Sequence, residues 1–225
     1  MLAYSENPKI AIDGPAGAGK STVTREVSRR LKLKHLDTGA MYRAVTLKFI
    51  RENADLSDLK MLEKILAQTK IEFDDEQNVF LNGENVTNEI RMPAVNEHVS
   101  PVSSISMVRR HLVEVQKKIV DQSRGIVMEG RDIASRVMPD ADFKFFLDAS
   151  PVERARRRMK EQTVKGIILS EKEVIAEIKN RDYLDSNRVD SPLTKVSDAI
   201  VIDTTNLTFE QVVGKIVDIV TERVR

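Results

Sequence analysis

The stretch that decides the fold is KIAIDGPAGAGKSTVTREVSRRL, Lys9 to Leu31. An apolar run ends in an aspartate, a glycine-rich turn follows, and then Val23, Val27 and Leu31 recur on one face of a helical pattern. Gly14, Pro15, Ala16, Gly17, Ala18, Gly19, Lys20 and Ser21 fit G-x-x-x-x-G-K-[ST], between a predicted strand and a predicted helix. Glycines let such a turn wrap so that backbone N–H groups face phosphate oxygens, and the helix beginning near Lys20 adds the positive end of its dipole. Lys20 is expected to reach the β and γ phosphates of a bound nucleotide, the Ser21 hydroxyl to ligate Mg2+, and Thr22 to complete the ATP-binding set.

Outward from this stretch, KHLD (34–37), GIVME (125–129), FKFFLD (143–148) and AIVID (199–203) join KIAID (9–13) as short apolar runs of the kind buried in a parallel sheet. Helical patterns lie between them. Ser150 with Glu153, Ser170 with Glu173, and Thr208 with Gln211 each have capping-box spacing, so helices are predicted to begin after them. The fold class predicted is α/β, a five-stranded parallel sheet with helices on both faces. One segment, KIEFDDEQNVFLNGENVTNEI (70–90), alternates instead and carries Asn-Gly, which predicts a small antiparallel β insert over roughly 60–98. The chain is read as one domain, 1–225, with that insert and a short helical lid over 154–170.

A chain of 225 residues with 41% apolar and 32% charged residues has the composition of a soluble globular domain. No apolar run is long enough for a membrane span, and the absence of cysteine favours a reducing, cytoplasmic setting. The formal charge of +1, from 36 basic and 35 acidic residues, argues against a nucleic-acid-binding surface. Charge is nevertheless uneven. The insert is acidic, whereas Arg154, Arg156, Arg157, Arg158, Lys160 and Lys165 stand against the single acid Glu161. Such a cluster in a neutral protein is expected to serve a small anion.

The phosphate loop alone leaves the reaction open. A GTPase would need Asn-Lys-x-Asp, and Asn187 to Asp190 reads NRVD, with arginine where lysine is required. A mechanical ATPase would hold its metal with an aspartate ending an apolar strand; Asp148 and Asp203 both qualify, but little chain is left for a coupling domain. The arginines point elsewhere. Arg43 follows the second strand, Arg131 and Asp132 follow the third, and Arg181, Asp185 and Arg188 share one helix face at i, i+4 and i+7. These segments return to the carboxyl edge of the sheet, and a single triphosphate does not require so many cations, so a second phosphorylated ligand is expected. His35, His98 and His111 lack metal-ligand spacing and read as structural or surface residues.

DGPAGAGKST, LDTGAMYR, EGRDI, FFLDASPVERARRR and RDYLDSNRVDSPL, in this order, resemble the bacterial cytidylate kinases over nearly the whole chain. The resemblance implies transfer of the γ-phosphoryl group of Mg·ATP to CMP or dCMP; a monomer that binds neither nucleic acid nor membrane is expected. The resemblance also implies roles. Thr38, Arg43, Arg131 and Arg188 would grip the CMP phosphate; Ser100, Arg109 and Asp132 would read cytosine; Arg181 with Asp185 would hold the ribose. Arg154, Arg157 and Arg158 would close from the lid over ATP, so that Lys20, Arg131, Arg154, Arg158 and Arg188 form the catalytic set. Kinases of the adenylate, guanylate or shikimate type, and a regulatory ATPase, are the alternatives; the β insert and RDYLDSNR tell against the other kinases.

Overall fold

Ile10, Ala11 and Ile12 have no exposed surface, because the strand that carries them, β1 (Lys9–Asp13), is covered on both faces and flanked on both edges. The computed structural model describes residues 7–164 and 170–224. These divide into two compact units, one made of the segments up to Leu36 and from Ile119 onward, the other of Asp37–Lys118.

In the first unit β1 pairs in parallel with β6 (Ile126–Gly130) on one side and β7 (Phe143–Asp148) on the other. With β2 (Lys34–Asp37) and β8 (Ile200–Asp203) at the edges, the sheet order is β2-β6-β1-β7-β8. All five strands fall where the apolar runs predict, β6 and β8 each beginning one residue later. The order reverses at β1, so the loop after it opens at the carboxyl edge, where such sheets bind ligands. Helix α1 (Lys20–Leu31) buries Val23 and Val27 against this sheet, and α8 (Phe209–Val224) adds Val212, Val213, Ile216 and Val220 to the same core. Thr208 and Gln211 cap α8 reciprocally, each backbone N–H donating to the other's side chain. α7 (Glu171–Asn187) starts with the predicted box of Ser170 and Glu173. At α6 (Pro151–Val164) only half of the box forms: Glu153 N–H donates to Ser150 Oγ, but the Glu153 carboxylate accepts from Arg156 and Arg157 instead.

The second unit holds α2 (Thr38–Arg51), α3 (Leu59–Ala67), a three-stranded antiparallel sheet of β3 (Ile71–Phe73), β4 (Val79–Leu81) and β5 (Glu84–Asn85), then α4 (Pro93–Ser104) and, as far as Lys118, α5 (Ser106–Asp121). Asn82 and Gly83, at φ of 50° and 85°, make the two-residue turn between β4 and β5 that the Asn-Gly signal predicts. Of the stretch read as a β insert, the strands occupy only the centre. Leu62, Ile65 and Leu66 are buried along one face of α3, and Val95 and Val99 along α4, so both flanks are helical.

Candidate active site

The loop from Gly14 to Ser21 is shaped by its main chain. Gly14 has φ of 150°, and a Cβ there would run into the Leu147 carbonyl oxygen of β7, so only glycine fits. Gly19, at φ of 89°, is the residue that caps α1. The Ala16 carbonyl accepts from Arg154 Nη1 at 3.1 Å and the Ala18 carbonyl from Thr204 Oγ1 at 3.3 Å. A trans peptide points its N–H opposite to its carbonyl, so the N–H groups of Gly17 and Gly19 are turned away from these donors. Thr22 Oγ1 donates to the Gly19 carbonyl at 3.0 Å. Lys20 is buried, and its Nζ donates to the Gly14 and Pro15 carbonyls at 2.7 Å each. Burial and then the nearby Arg131 charge pull the Lys20 pKa well below the ordinary lysine value, against Glu129, Asp13 and Asp185. An ammonium in this position gains most from an arriving polyanion.

Ser21 Oγ donates to Glu129 Oε2 at 2.7 Å, and His35 Nε2 lies 3.2 Å from Glu129 Oε1. Glu129 and His35 are both buried. A hydroxyl whose proton goes to a carboxylate keeps its lone pairs for a cation. No cluster of three metal-ligating side chains exists among the described residues. One hydroxyl and one carboxylate suit Mg2+, which takes its other ligands from water and phosphates. Asp148 and Asp203, the carboxylates that the sequence offered for this task, are exposed at the ends of β7 and β8. Sequence reasoning missed Glu129 and read His35, here buried beside it, as a structural or surface residue. The signal for Glu129 was present, a carboxylate near the end of an apolar strand, but its use depends on β6 lying next to β1. Asp13 was also missed. Its carboxylate accepts from the N–H groups of Ile133 and Ala134 at 3.0 and 2.8 Å, which anchors the π-helical turn Ile133–Val137 directly after Arg131 and Asp132.

Arg131, Asp185 and Arg188 come together in the first unit. Arg131 Nε donates to Asp185 Oδ2 at 2.9 Å, and Arg188 Nη1 reaches Asp185 Oδ1 at 3.5 Å. Burial pushes the Asp185 carboxyl up, but Arg131, Arg181 and Arg188 outweigh it and hold the group below its ordinary value. The i, i+7 reading of Arg188 needs correction. α7 ends at Asn187, and Arg188 has an extended backbone beyond it. Its guanidinium is aimed by Ser191 instead, a buried residue at φ of 51° whose carbonyl accepts from Arg188 Nε at 2.6 Å. Asp132 is buried beside this group, and its carbonyl accepts from Arg136 N–H at 2.8 Å.

The arginines of α6 are engaged within the first unit. Arg154 is almost wholly buried and donates two bonds to Asp182, at 2.9 and 2.6 Å, besides those to the Ala16 and Ala149 carbonyls. Arg157 donates to the hydroxyl and carbonyl of Thr204 at 3.0 and 2.7 Å. Arg158 lies 4.0 Å from Glu177 of α7. Residues 165–169 of the expected lid lie outside the described residues.

In the second unit Thr38 is buried in the first turn of α2, whose cap is the Asp37 carboxylate accepting from Ala40 N–H. Arg43 donates to Asn96 Oδ1 and, at 3.2 Å, to the Ile90 carbonyl. Ser100 is on α4, one residue before the internal Pro101. Arg109 is buried, with its guanidinium 5.0 Å from the centre of the Tyr42 ring and Nη1 donating to the Ser103 carbonyl at 3.1 Å.

The chain is 52% identical over 208 residues to a cytidylate kinase of Caldanaerobacter subterraneus subsp. tengcongensis, with 92% of each chain covered. It is 48% identical to that of Carboxydothermus hydrogenoformans, covering 94% of this chain and 96% of the other, and 50% identical to that of Pelotomaculum thermopropionicum, covering 93% and 94%. Among solved structures, TT1252 from Thermus thermophilus shares the fold, with a TM-score of 0.50 at 15% identity over 97% of this chain and 99% of the other. A family model described as cytidylate kinase matches residues 10–222, a range that contains all five motifs, and the chain therefore belongs to the cytidylate kinase family.

Proposed function

We propose that this protein transfers the γ-phosphoryl group of ATP to CMP, and to dCMP, giving ADP and the corresponding diphosphate. The observation that carries the reading is the register of β1 with β6: Asp13 lies opposite Gly130, so the phosphate loop and Arg131 leave neighbouring strands at the same edge of the sheet. A cation paired through Asp185 with Arg188, and suited to an acceptor phosphate, thus stands beside the donor loop. Phosphoryl transfer asks for alignment of donor and acceptor oxygens and neutralisation of the charge that moves between them. An oxygen of the CMP phosphate is already anionic, so no side-chain base is required.

In this division of labour the loop from Gly14 to Ser21 cradles the ATP phosphates, and Lys20 leaves its carbonyl partners to follow the migrating charge. Arg131 and Arg188 hold the acceptor phosphate, with Thr38 and Arg43 assigned to the same group. Asp185 keeps the two guanidinium groups from repelling each other apart and, with Arg181, receives the ribose. Asp132 accepts from the cytosine amino group and confronts uracil with two facing acceptors; Ser100 and Arg109 complete base reading. Arg154, Arg157 and Arg158 close over ATP by exchanging Asp182, Thr204 and Glu177 for phosphate oxygens, and closure excludes water as a competing acceptor. Mg2+, when bound with ATP, neutralises charge on the β and γ phosphates, and Ser21 with Glu129 would hold it. The near-neutral charge supports free nucleotides as substrates instead of nucleic acid or membrane, the lack of cysteine supports a cytoplasmic setting, and we read the protein as a monomer.

The test is ADP formation with Mg·ATP and a panel of nucleoside monophosphates. Stimulation by CMP and dCMP is expected. Stimulation by AMP or GMP instead would move the protein to another acceptor, and stimulation only by a macromolecule would remove it from the small-molecule kinases.

A further inference from the structure

Glu129 is met by two donors from two different elements. Ser21, in the first turn of α1, donates to Oε2 at 2.7 Å, and His35, on β2, lies 3.2 Å from Oε1. All three belong to the first unit. We propose that His35 is a positioning residue for the metal of Mg·ATP: its Nε2–H fixes the Glu129 carboxylate so that Oε2 takes the Ser21 proton and the Ser21 oxygen is presented to the cation. The inference rests on the reading that Ser21 holds that metal.

Three physical points support it. The last torsion of a glutamate side chain is broad and roughly two-fold, so one hydrogen bond leaves the carboxylate plane free to turn. A second donor on the other oxygen defines it. Lys20 Nζ donates to the Gly14 and Pro15 carbonyls at 2.7 Å each, while Ser21 and His35 meet the two oxygens of Glu129, so the carboxylate is oriented toward the hydroxyl and the lysine toward the loop. Finally, His35 is 4% exposed and its Nδ1 has no hydrogen-bond partner among the described residues. An unpaired buried polar atom carries a desolvation cost that an apolar ring in the same place would avoid. A residue chosen only to fill the core would not carry that cost.

The experiment is calorimetric titration of the full chain with β,γ-imido-ATP, with and without Mg2+, for wild type, His35→Phe, His35→Gln and Glu129→Gln. Loss of a group that orients a metal ligand typically lowers metal affinity about tenfold or more, so His35→Phe should lose about that much of the Mg2+-dependent gain while metal-free binding changes by less than about twofold. His35→Gln, whose amide can replace the Nε2–H donor, should recover most of it. The proposal is overturned if His35→Phe keeps the full gain, if it weakens binding equally with and without Mg2+, or if His35→Gln does no better than His35→Phe. Glu129→Gln separates the two levels. Its retention of the full gain would remove the metal assignment itself, whereas its loss beside a normal His35→Phe would remove His35 alone. If His35→Phe does not melt cooperatively, His35→Asn, too short to reach Glu129, replaces it with the same expected loss.

Discussion

Asp13 offers a test in which burial and hydrogen bonding oppose each other. Burial pushes its pKa up from 3.8 to about 6, although the N–H groups of Ala134 and Ile133 favour the carboxylate and so does Lys20; Asp132 adds to the rise. The difference corresponds to about 3 kcal/mol of preference for the protonated form in the folded protein. Because the folded-state value is the higher one, this contribution to stability is fully present below the unfolded value of 3.8 and is lost as pH rises through about 6. Integrated between about pH 4.5 and about pH 8, the Asp13 contribution falls by about 2 kcal/mol. Asp13→Asn removes the titration. The amide oxygen still accepts from the turn at Ile133, so any loss in hydrogen bonding is an offset that does not vary with pH. Urea unfolding of both proteins across this range should therefore show the variant gaining about 2 kcal/mol on wild type as pH rises. A difference between the two that stays flat with pH would refute the argument that burial outweighs the two backbone donors.

Three further outcomes follow from the site. Lys20→Ala should keep the fold but lower kcat by about a thousandfold, as for loss of a cation that follows the transferred group; near-normal turnover would overturn the assignment of the loop. Asp132→Ala should lose the preference for CMP over UMP, which a buried acceptor facing an acceptor can raise to about 10⁴-fold, and should do so by raising KM more than it lowers kcat. An unchanged ratio would remove Asp132 from base reading. Gly14→Ala forces a side chain toward the Leu147 carbonyl and should cost about 3 kcal/mol of stability along with ATP-analogue binding, read by thermal melting and calorimetry. An unaltered melting temperature would count against the contact.

The parts of this architecture visible in the sequence are those set by neighbours along the chain. The phosphate loop, the five strands, the caps at Ser170 and Thr208 and the Asn82-Gly83 turn each have a local cause, and each lies where its pattern points. What was not legible depends on strand order or on where an element stops. Glu129 and His35 are 94 residues apart and meet only because β6 is inserted between β2 and β1. Asp13 joins a turn 120 residues away for the same reason. Arg188 was placed on a helix that ends one residue too soon, because helical spacing says nothing about the turn at Ser191 that aims it. The hairpin signal of 70–90 drew its neighbours into one predicted β insert and concealed the buried face of α3, whose Leu62, Ile65 and Leu66 carry a helical spacing.

The contact between Gly14 and Leu147 joins backbone to backbone. The curvature of the phosphate cradle is thus moulded by the track of the adjoining strand and is indifferent to which side chain that strand displays. Position 147 can answer to the hydrophobic interior alone, and an exchange of its leucine for another aliphatic residue would leave the mould intact. Drift in the interior and constancy of the cradle are compatible because different atoms serve each.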